Sequence, residues 1–452
     1  MAKSEWVGMV RRCFKVKSIN IGLLGFGTVG TGVVKILQQN SGVIGKRLGA
    51  KLNLKWIADL DIERDRGVKV DKNILTKDAS KVLNDPEVNI VIELIGGYEP
   101  AKRFILKALN NKKHVVTANK ALLAKHGSEI FETASKNNAD IGFEASVGGG
   151  IPIIRAIKEG FTANNIQSVY GIVNGTCNYI LSKMSDEGRQ FDEVLKEAQA
   201  LGFAEANPSL DIDGIDSAHK VTILSSIAFG VRVDFDKVYT EGISRITPID
   251  INFAREFGYR IKLLAITKRS NNEIEVRVHP TMVKEDNPIS KVNGVLNAIE
   301  VTGDAVGENM LIGRGAGDMP TGSAVVGDVI EISRNILNGG VNRVSPLSFL
   351  PKYIEDAKIK NISNIISEYY IRFSVLDKPG VLSKISGVLG NNSISISSVI
   401  QKGRGEKGGV PLVVMTHSAK EKDIQKALSE IDKLDVVLDK SVLIRVENGE
   451  RG

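Results

Sequence analysis

Apolar residues in the first third of the chain fall in short compact runs, each followed by glycine or a polar turn and then by helical spacing. Ile19 to Leu24 is one such run; it leads into Gly25-Phe26-Gly27-Thr28-Val29-Gly30 and a helix predicted to about Gln39. After a loop rich in glycine and lysine, Leu52 to Asp59 reads as a strand, as does Val88 to Gly97, while Lys113 to Lys120 reads as a strand feeding a helix. A further strand around Ile141 to Gly150 ends in three glycines. Strands alternating with helices predict a parallel sheet.

Beyond Ile151 the pattern changes. Gln167 to Val173 reads as a strand, Glu193 to Leu201 follows, and a helix from about Asp213 to Phe229 is apolar almost all round, which predicts burial. Glu273 to Val283 and Val292 to Val301 read as strands of an open mixed sheet; a helix near 321–340 is predicted to return to the first domain. Lys352 to Ser367 is polar, a connector. From Tyr369 the order is strand, helix, strand, strand, helix, strand, which makes a ferredoxin-like βαββαβ unit. The expected fold class is therefore α/β: a Rossmann-type nucleotide-binding domain (19–150 with the returning helix) after a tail (1–18), an α+β substrate domain (151–320), a connector (341–368) and the βαββαβ unit (369–452).

At 452 residues the length suits roughly two to four domains. Hydrophobic residues at 42% and charged residues at 25% are ordinary globular values and exclude wholesale disorder. The formal charge of +7 is spread without a basic run and aromatics are only 5%, so attraction of small anions is expected and nucleic-acid binding is not. Cys13 and Cys177 give no disulfide framework and no cysteine-based metal site, which fits a reducing, cytoplasmic setting. No run reaches about 20 apolar residues, so no membrane span is expected. Residues 1–18 carry Arg11, Arg12, Lys15 and Lys17 but lack the apolar stretch of a secretory signal.

The glycine turn points to chemistry. Gly25 allows a tight turn, Gly27 a close backbone approach to a pyrophosphate, and Gly30 close packing of the following helix, whose N-terminus then faces the phosphates. Asp59, ending the second strand, suits an adenosine ribose and so NAD, whereas Arg64 and Arg66 suit a 2'-phosphate and so NADP, or are simply solvated. A second polar cluster, Asp211-Ile212-Asp213-Gly214-Ile215-Asp216-Ser217-Ala218-His219-Lys220, places Asp216 and Lys220 at i,i+4 on the buried helix. An exposed pair of this kind contributes only about 0.2 to 0.5 kcal/mol, with Asp213 as a helix cap. Beside a nicotinamide site, however, Lys220 can donate a proton to a carbonyl oxygen, and Asp216 with Glu205 can hold a substrate amino group. A thiol nucleophile at Cys177, as in aldehyde-oxidising enzymes, and a non-catalytic amino-acid sensor are the competing readings.

These residues carry a specific resemblance. G-F-G-T-V-G, V-T-A-N-K, N-G-T-C-N-Y-I, G-F-A-E-A-N-P, D-I-D-G-I-D-S-A-H-K, V-H-P and G-R-G-A-G together resemble homoserine dehydrogenases of the long form, and Asp377-Lys378-Pro379-Gly380-Val381-Leu382 resembles the ligand loop of their C-terminal ACT domain. The resemblance implies NAD(P)-dependent interconversion of L-homoserine and L-aspartate 4-semialdehyde in threonine, methionine and isoleucine biosynthesis. It implies Lys220 as proton donor, Glu205 and Asp216 as substrate-binding acids, and Lys120 beside the nicotinamide and substrate. Cofactor contacts are implied at Gly25, Phe26, Gly27, Thr28, Val29, Gly30, Gly96 and Thr117, and at Gly202 and Gly315. A monovalent cation, Na+ or K+, is implied at Glu144 and the carbonyls of Val147, Gly149 and Ile151. Dimerisation through the middle domain's sheet, as homodimer or homotetramer, and inhibition by L-threonine are implied as well.

Overall fold

The computed structural model describes residues 17–402 and 409–447 and forms two compact units, one built from the chain up to Gly150 together with Ala316–Pro346, the other from Ile151–Gly315 with Leu347 onward. Residues 1–16 of the expected tail lie outside the described residues, and Ser18 is already a strand residue paired with Lys51.

In the first unit six strands run parallel: β1 (Ser18–Leu24), β2 (Lys51–Ala58), β3 (Leu75–Thr76), β4 (Ile90–Glu93), β5 (His114–Thr117) and β6 (Ile141–Gly142), in the order β3-β2-β1-β4-β5-β6. Both faces are covered, so β1 buries Ile21, Leu23 and Leu24 in an unbroken apolar run. Val325, Val326, Val329 and Ile332 of the Asp318–Leu337 helix share a core with Val33, Val34 and Ile36 of the Thr28–Gln39 helix. Two local expectations change. The glycine- and lysine-rich loop is a helix, Ser41–Leu48, because Ile44 and Leu48 bury one face while Lys46 and Arg47 suit its negative C-terminal end, closed by left-handed Gly49. The strand expected to run to Gly150 stops at Gly142, where Asp328 accepts from the Glu144 N–H at 2.8 Å and the chain turns into a short 3-10 helix, Glu144–Ser146.

The second unit holds β7 (Ile166–Ile172), β8 (Val231–Arg232), β9 (Tyr239–Thr240), β10 (Tyr259–Ser270), β11 (Glu273–Lys284), β12 (Leu296–Gly303), β13 (Gly307–Arg314), β14 (Glu355–Asp356), β15 (Ile366–Val375), β16 (Ile396–Gln401), β17 (Val410–Thr416), β18 (Ala419–Lys420) and β19 (Val437–Glu447). Nine of them form one mixed sheet in the order β13-β12-β7-β10-β11-β19-β15-β17-β16; β9 and β18 attach to it and β8 pairs with β14. The sequence pattern does not mark β10 or β13. The βαββαβ segment keeps its own core, but its last strand runs parallel to β11 with Thr281 opposite Arg445 and Val283 opposite Glu447.

This seam is ionic. Alternate residues Glu275, Arg277, His279 and Thr281 give β11 a polar face that is nonetheless buried. Arg277, 3% exposed, reaches Glu447 at 2.6 Å and Glu275 at 3.2 Å, and Lys268 reaches the other Glu447 oxygen at 2.8 Å. Arg445, 1% exposed, grips Glu421 through two bonds of 2.7 and 2.9 Å and also meets Glu241 and Tyr239. Burial alone pushes the Glu447 carboxyl up, but Arg277 and Lys268 outweigh it and bring it down to about 2 from the usual 4.5. A carboxyl depressed in the folded state stabilises above its unfolded range, and that contribution disappears as pH falls from about 4.5 to about 2. Glu447→Gln leaves Arg277 with Glu275 alone and takes the carboxylate from Lys268, and we expect a loss of about 1 to 3 kcal/mol in urea unfolding at neutral pH, together with a flatter acid limb than the wild type.

Candidate functional site

β1 ends where the backbone must reverse. Gly25 has φ +94°, and a Cβ there would sit 2.7 Å from the Leu94 carbonyl oxygen; a Cβ on Gly30 would sit 2.4 Å from that of Gly25. Side chains are therefore excluded at both positions, and the Thr28–Gln39 helix starts at Gly27 with no side-chain cap. Its first N–H groups and positive dipole end are presented as an anion site. Beside the turn lies a cavity of about 660 Å³ lined by Gly25, Gly27, Asp59, Ser80 and Arg103 among others, a size that suits a nucleotide moiety.

Asp59 is engaged with the turn itself. It accepts from the Phe26 N–H at 2.6 Å and from Asp61 N–H at 2.8 Å, and Arg66 approaches its other side at 3.3 Å. Arg66 also bonds the Phe26 carbonyl and lies 4.6 Å from the centre of the Phe26 ring. Arg64 is exposed.

At the ends of β4 and β5 two residues that the sequence reading missed do the positioning. Glu93 is fully buried; one oxygen accepts from the N–H of Ile95 (2.7 Å) and Gly96 (3.2 Å), and the other from the Thr117 hydroxyl at 2.7 Å. Asn119 caps the Lys120–Lys136 helix and donates to the Gly97 carbonyl at 2.6 Å. Gly96, Thr117 and half-buried Lys120 are thereby gathered at one end of the parallel sheet. The only sequence signal was a single acid inside the apolar run Val88 to Gly97.

In the second unit, the Ile215–Phe229 helix buries every residue except Ile215 and Ser226. Asp216 and Lys220 are 6% and 8% exposed, and their ion pair is 2.7 Å long. Lys220 also donates to the Val173 carbonyl at 2.6 Å. The surface-pair reading does not apply, since a desolvated ammonium needs such partners to remain charged. The helix begins at left-handed Gly214 with no side-chain cap, so Asp213 does not cap it. Asn174 donates to Asp211 at 2.7 Å and to Asp216 at 2.9 Å. Glu205 is exposed on the preceding loop, tied through its carbonyl to Gln199, and no described hydrogen bond brings its carboxylate to the pair. Gly202, left-handed at φ +74°, follows the Phe191–Ala200 helix. Gly315 follows β13 and lies against the buried side-chain amide of Asn297, which has no hydrogen-bond partner among the described residues. Sequence reading overlooked both Asn174 and Asn297.

Cys177 is fully buried and its thiol donates to the Asp211 carbonyl at 3.1 Å. Burial pushes the thiol well above its ordinary range, with Asp211 and Asp216 adding to the effect, the reverse of what a thiolate nucleophile needs. Glu144 and Val147 are buried, and Gly148 and Gly149 are left-handed. Among the described residues no group of three or more His, Cys, Asp or Glu side chains is placed to hold a metal.

Comparison with known proteins agrees along nearly the whole chain. Residues 25–144 match the family described as homoserine dehydrogenase, NAD binding domain; residues 152–330 match homoserine dehydrogenase; residues 369–436 match the ACT domain. The homoserine dehydrogenase of Pseudomonas aeruginosa is 46% identical over 435 residues, 96% of this chain and 99% of that one; that of Neisseria gonorrhoeae is 45% identical over 433 residues, with the same coverage. The crystal structure of a homoserine dehydrogenase from Thiobacillus denitrificans superimposes with a TM-score of 0.91 at 46% identity, covering 96% of this chain and 99% of that one. A hyperthermophilic archaeal homoserine dehydrogenase in complex with NADPH matches with a TM-score of 0.61 at 30% identity, covering 70% of this chain and 98% of that one.

Replacing Cys177 by Ser keeps a donor to the Asp211 carbonyl, so turnover within about threefold of wild type is expected. Iodoacetamide should label Cys177 only after unfolding, as read by peptide mass mapping.

Proposed function

The chain belongs to the homoserine dehydrogenase family, and from that premise we propose that it interconverts L-aspartate 4-semialdehyde and L-homoserine with Lys220 as the proton donor. The observation that carries the assignment is the buried Lys220 ammonium, held by Asp216 and the Val173 carbonyl.

The bound nicotinamide cofactor supplies the hydride, and the uncapped helix start and the adjoining cavity suit its phosphates and nucleoside. As hydride adds to the carbonyl carbon, negative charge develops on the oxygen, and Lys220 passes a proton to it to complete the alcohol. In the opposite direction Lys220 accepts that proton. Asp216 stabilises the ammonium before transfer and, with Glu205, holds the substrate's amino group. Lys120, opening a helix beside Thr117 and Gly96, orients the substrate against the nicotinamide. Cofactor contacts follow at Gly25 to Gly30, Gly96, Thr117, Gly202 and Gly315.

NADP is the preferred cofactor on this reading. Arg66 offsets the charge of Asp59 beside the glycine turn, so a 2'-phosphate would meet a paired acid rather than a lone one. A hard monovalent cation, Na+ or K+, suits the oxygen donors of buried Glu144 and of the Val147, Gly149 and Ile151 carbonyls, where the left-handed glycines redirect the backbone. Its contribution would be to neutralise Glu144. The ACT segment, with its exposed Asp377 to Gly380 loop and an uncapped helix starting at Val381, is assigned feedback inhibition by L-threonine. A homodimer or homotetramer is assigned on the family's pattern; among the described strands of the sheet, β13 and β16 each have one neighbour. The enzyme would act in cytoplasmic threonine, methionine and isoleucine biosynthesis.

Oxidation of NADPH and NADH should be followed with L-aspartate 4-semialdehyde, with and without L-threonine. Lys220→Ala is expected to lower kcat by about 10² to 10⁴-fold, NADPH to be the better donor, and threonine to slow turnover. Full activity in folded Lys220→Ala would remove Lys220 from the mechanism.

A further inference from the structure

In the segment Asn174-Gly175-Thr176-Cys177, Asn174 is a polar side chain that the reaction scheme leaves without a role. Asn174 stands between β7 and the Gly175–Glu187 helix, and its Oδ1 accepts from the Cys177 N–H at 2.8 Å. That bond settles which way the amide faces, because only the oxygen can accept it. Nδ2 is consequently aimed to the other side, where it donates to Asp211 Oδ1 at 2.7 Å and to Asp216 Oδ2 at 2.9 Å. The same Asp216 oxygen receives Lys220 at 2.7 Å.

Two carboxylates accepting from one nitrogen lie within two hydrogen-bond lengths of each other. With Asp216 buried and Asp211 half-buried, such proximity favours retention of a proton by one of them, and donors placed between them oppose it. We propose that Asn174 is a positioning residue for the dehydrogenase reaction, its amide clamping Asp211 and Asp216 so that both remain ionised acceptors and Lys220 stays aligned on its partner. The pair then presents a net negative charge to the ammonium group of an amino-acid substrate; this part of the inference rests on the reading given above. The charged groups around this helix start are Asp211, Asp213, Asp216 and Lys220, the set that also acts on Cys177. His219, next to Lys220, faces away and stacks on Phe235 at 4.6 Å.

Capping alone does not require asparagine, since aspartate and serine cap helices about equally well. Only the amide combines the acceptor with two N–H donors on its far side. Asn174→Asp keeps the cap and the shape but sets a third carboxylate against the other two; Asn174→Ser keeps the cap and one donor. For Asn174→Asp we expect the KM for L-aspartate 4-semialdehyde to rise at least about tenfold while the KM for NADPH holds, with Asn174→Ser in between. Independently of activity, the melting temperature of Asn174→Asp should fall below wild type near about pH 8 and converge on it toward about pH 5, as the crowded acids take up a proton that the unfolded chain would not hold. Wild-type KM together with a pH-independent melting difference in Asn174→Asp would overturn the proposal and leave Asn174 as a helix cap. If the wild type itself shows no turnover, the substrate reading fails, and the melting comparison alone decides on the clamp.

Discussion

A lysine buried with its carboxylate partner inside an apolar helix is the constraint around which this part of the second unit is arranged. Moving an ammonium out of water costs several kcal/mol unless a counter-charge and acceptors replace the lost hydration. For Lys220 these come from one helical turn away and from the end of β7: Asp216 and the Val173 carbonyl. The short Ser209–Ile212 helix and the left-handed step at Gly214 then follow as the route that brings Asp211 to the same point from the other side. An apolar helix with this one polar turn is a scaffold whose rigidity comes from its burial.

The features most legible in the sequence were those governed by local spacing. The glycine turn could be read because sterics at Gly25 and Gly30 act over a few residues, and the i,i+4 relation of Asp216 and Lys220 because a helix is periodic. The βαββαβ order was legible for the same reason, each strand and helix being a compact run. What stayed hidden depends on contacts between distant segments. Glu93 gains its role from Thr117, and Asn174 from Asp211 and Asp216; neither has a pattern around it that announces this. Whether Asp216 and Lys220 formed a surface pair or a desolvated one was likewise undecidable from spacing, since tertiary burial sets the difference. The Ser41–Leu48 helix was masked by its glycines, which lower helix propensity although two buried side chains suffice to hold it.

The alternating polar residues of β11 illustrate a further limit. Period-two alternation ordinarily means one wet face and one dry face. Here the polar face is covered, and the charges are satisfied by one another: Arg277 by Glu275 and Glu447, Arg445 by Glu421 and Glu241. His279, enclosed with Arg277 and Arg445, is driven far below its ordinary range first by burial and then by those two cations, and so stays neutral. Such a seam specifies one pairing of β11 with β19, because a shift by one residue would leave charges unmatched on both strands.

The place of β19 in the sheet also has a consequence for biosynthesis. It lies between β11 and β15, near the middle of the strand order, yet it is synthesised after every other described strand. While the ribosome is still working, β11 therefore has an open edge where its permanent neighbour will be, with Arg277 and Lys268 lacking Glu447. The full strand order of this sheet is therefore reached only when β19 joins it, and the pairing of β11 with its neighbour is the last to be made.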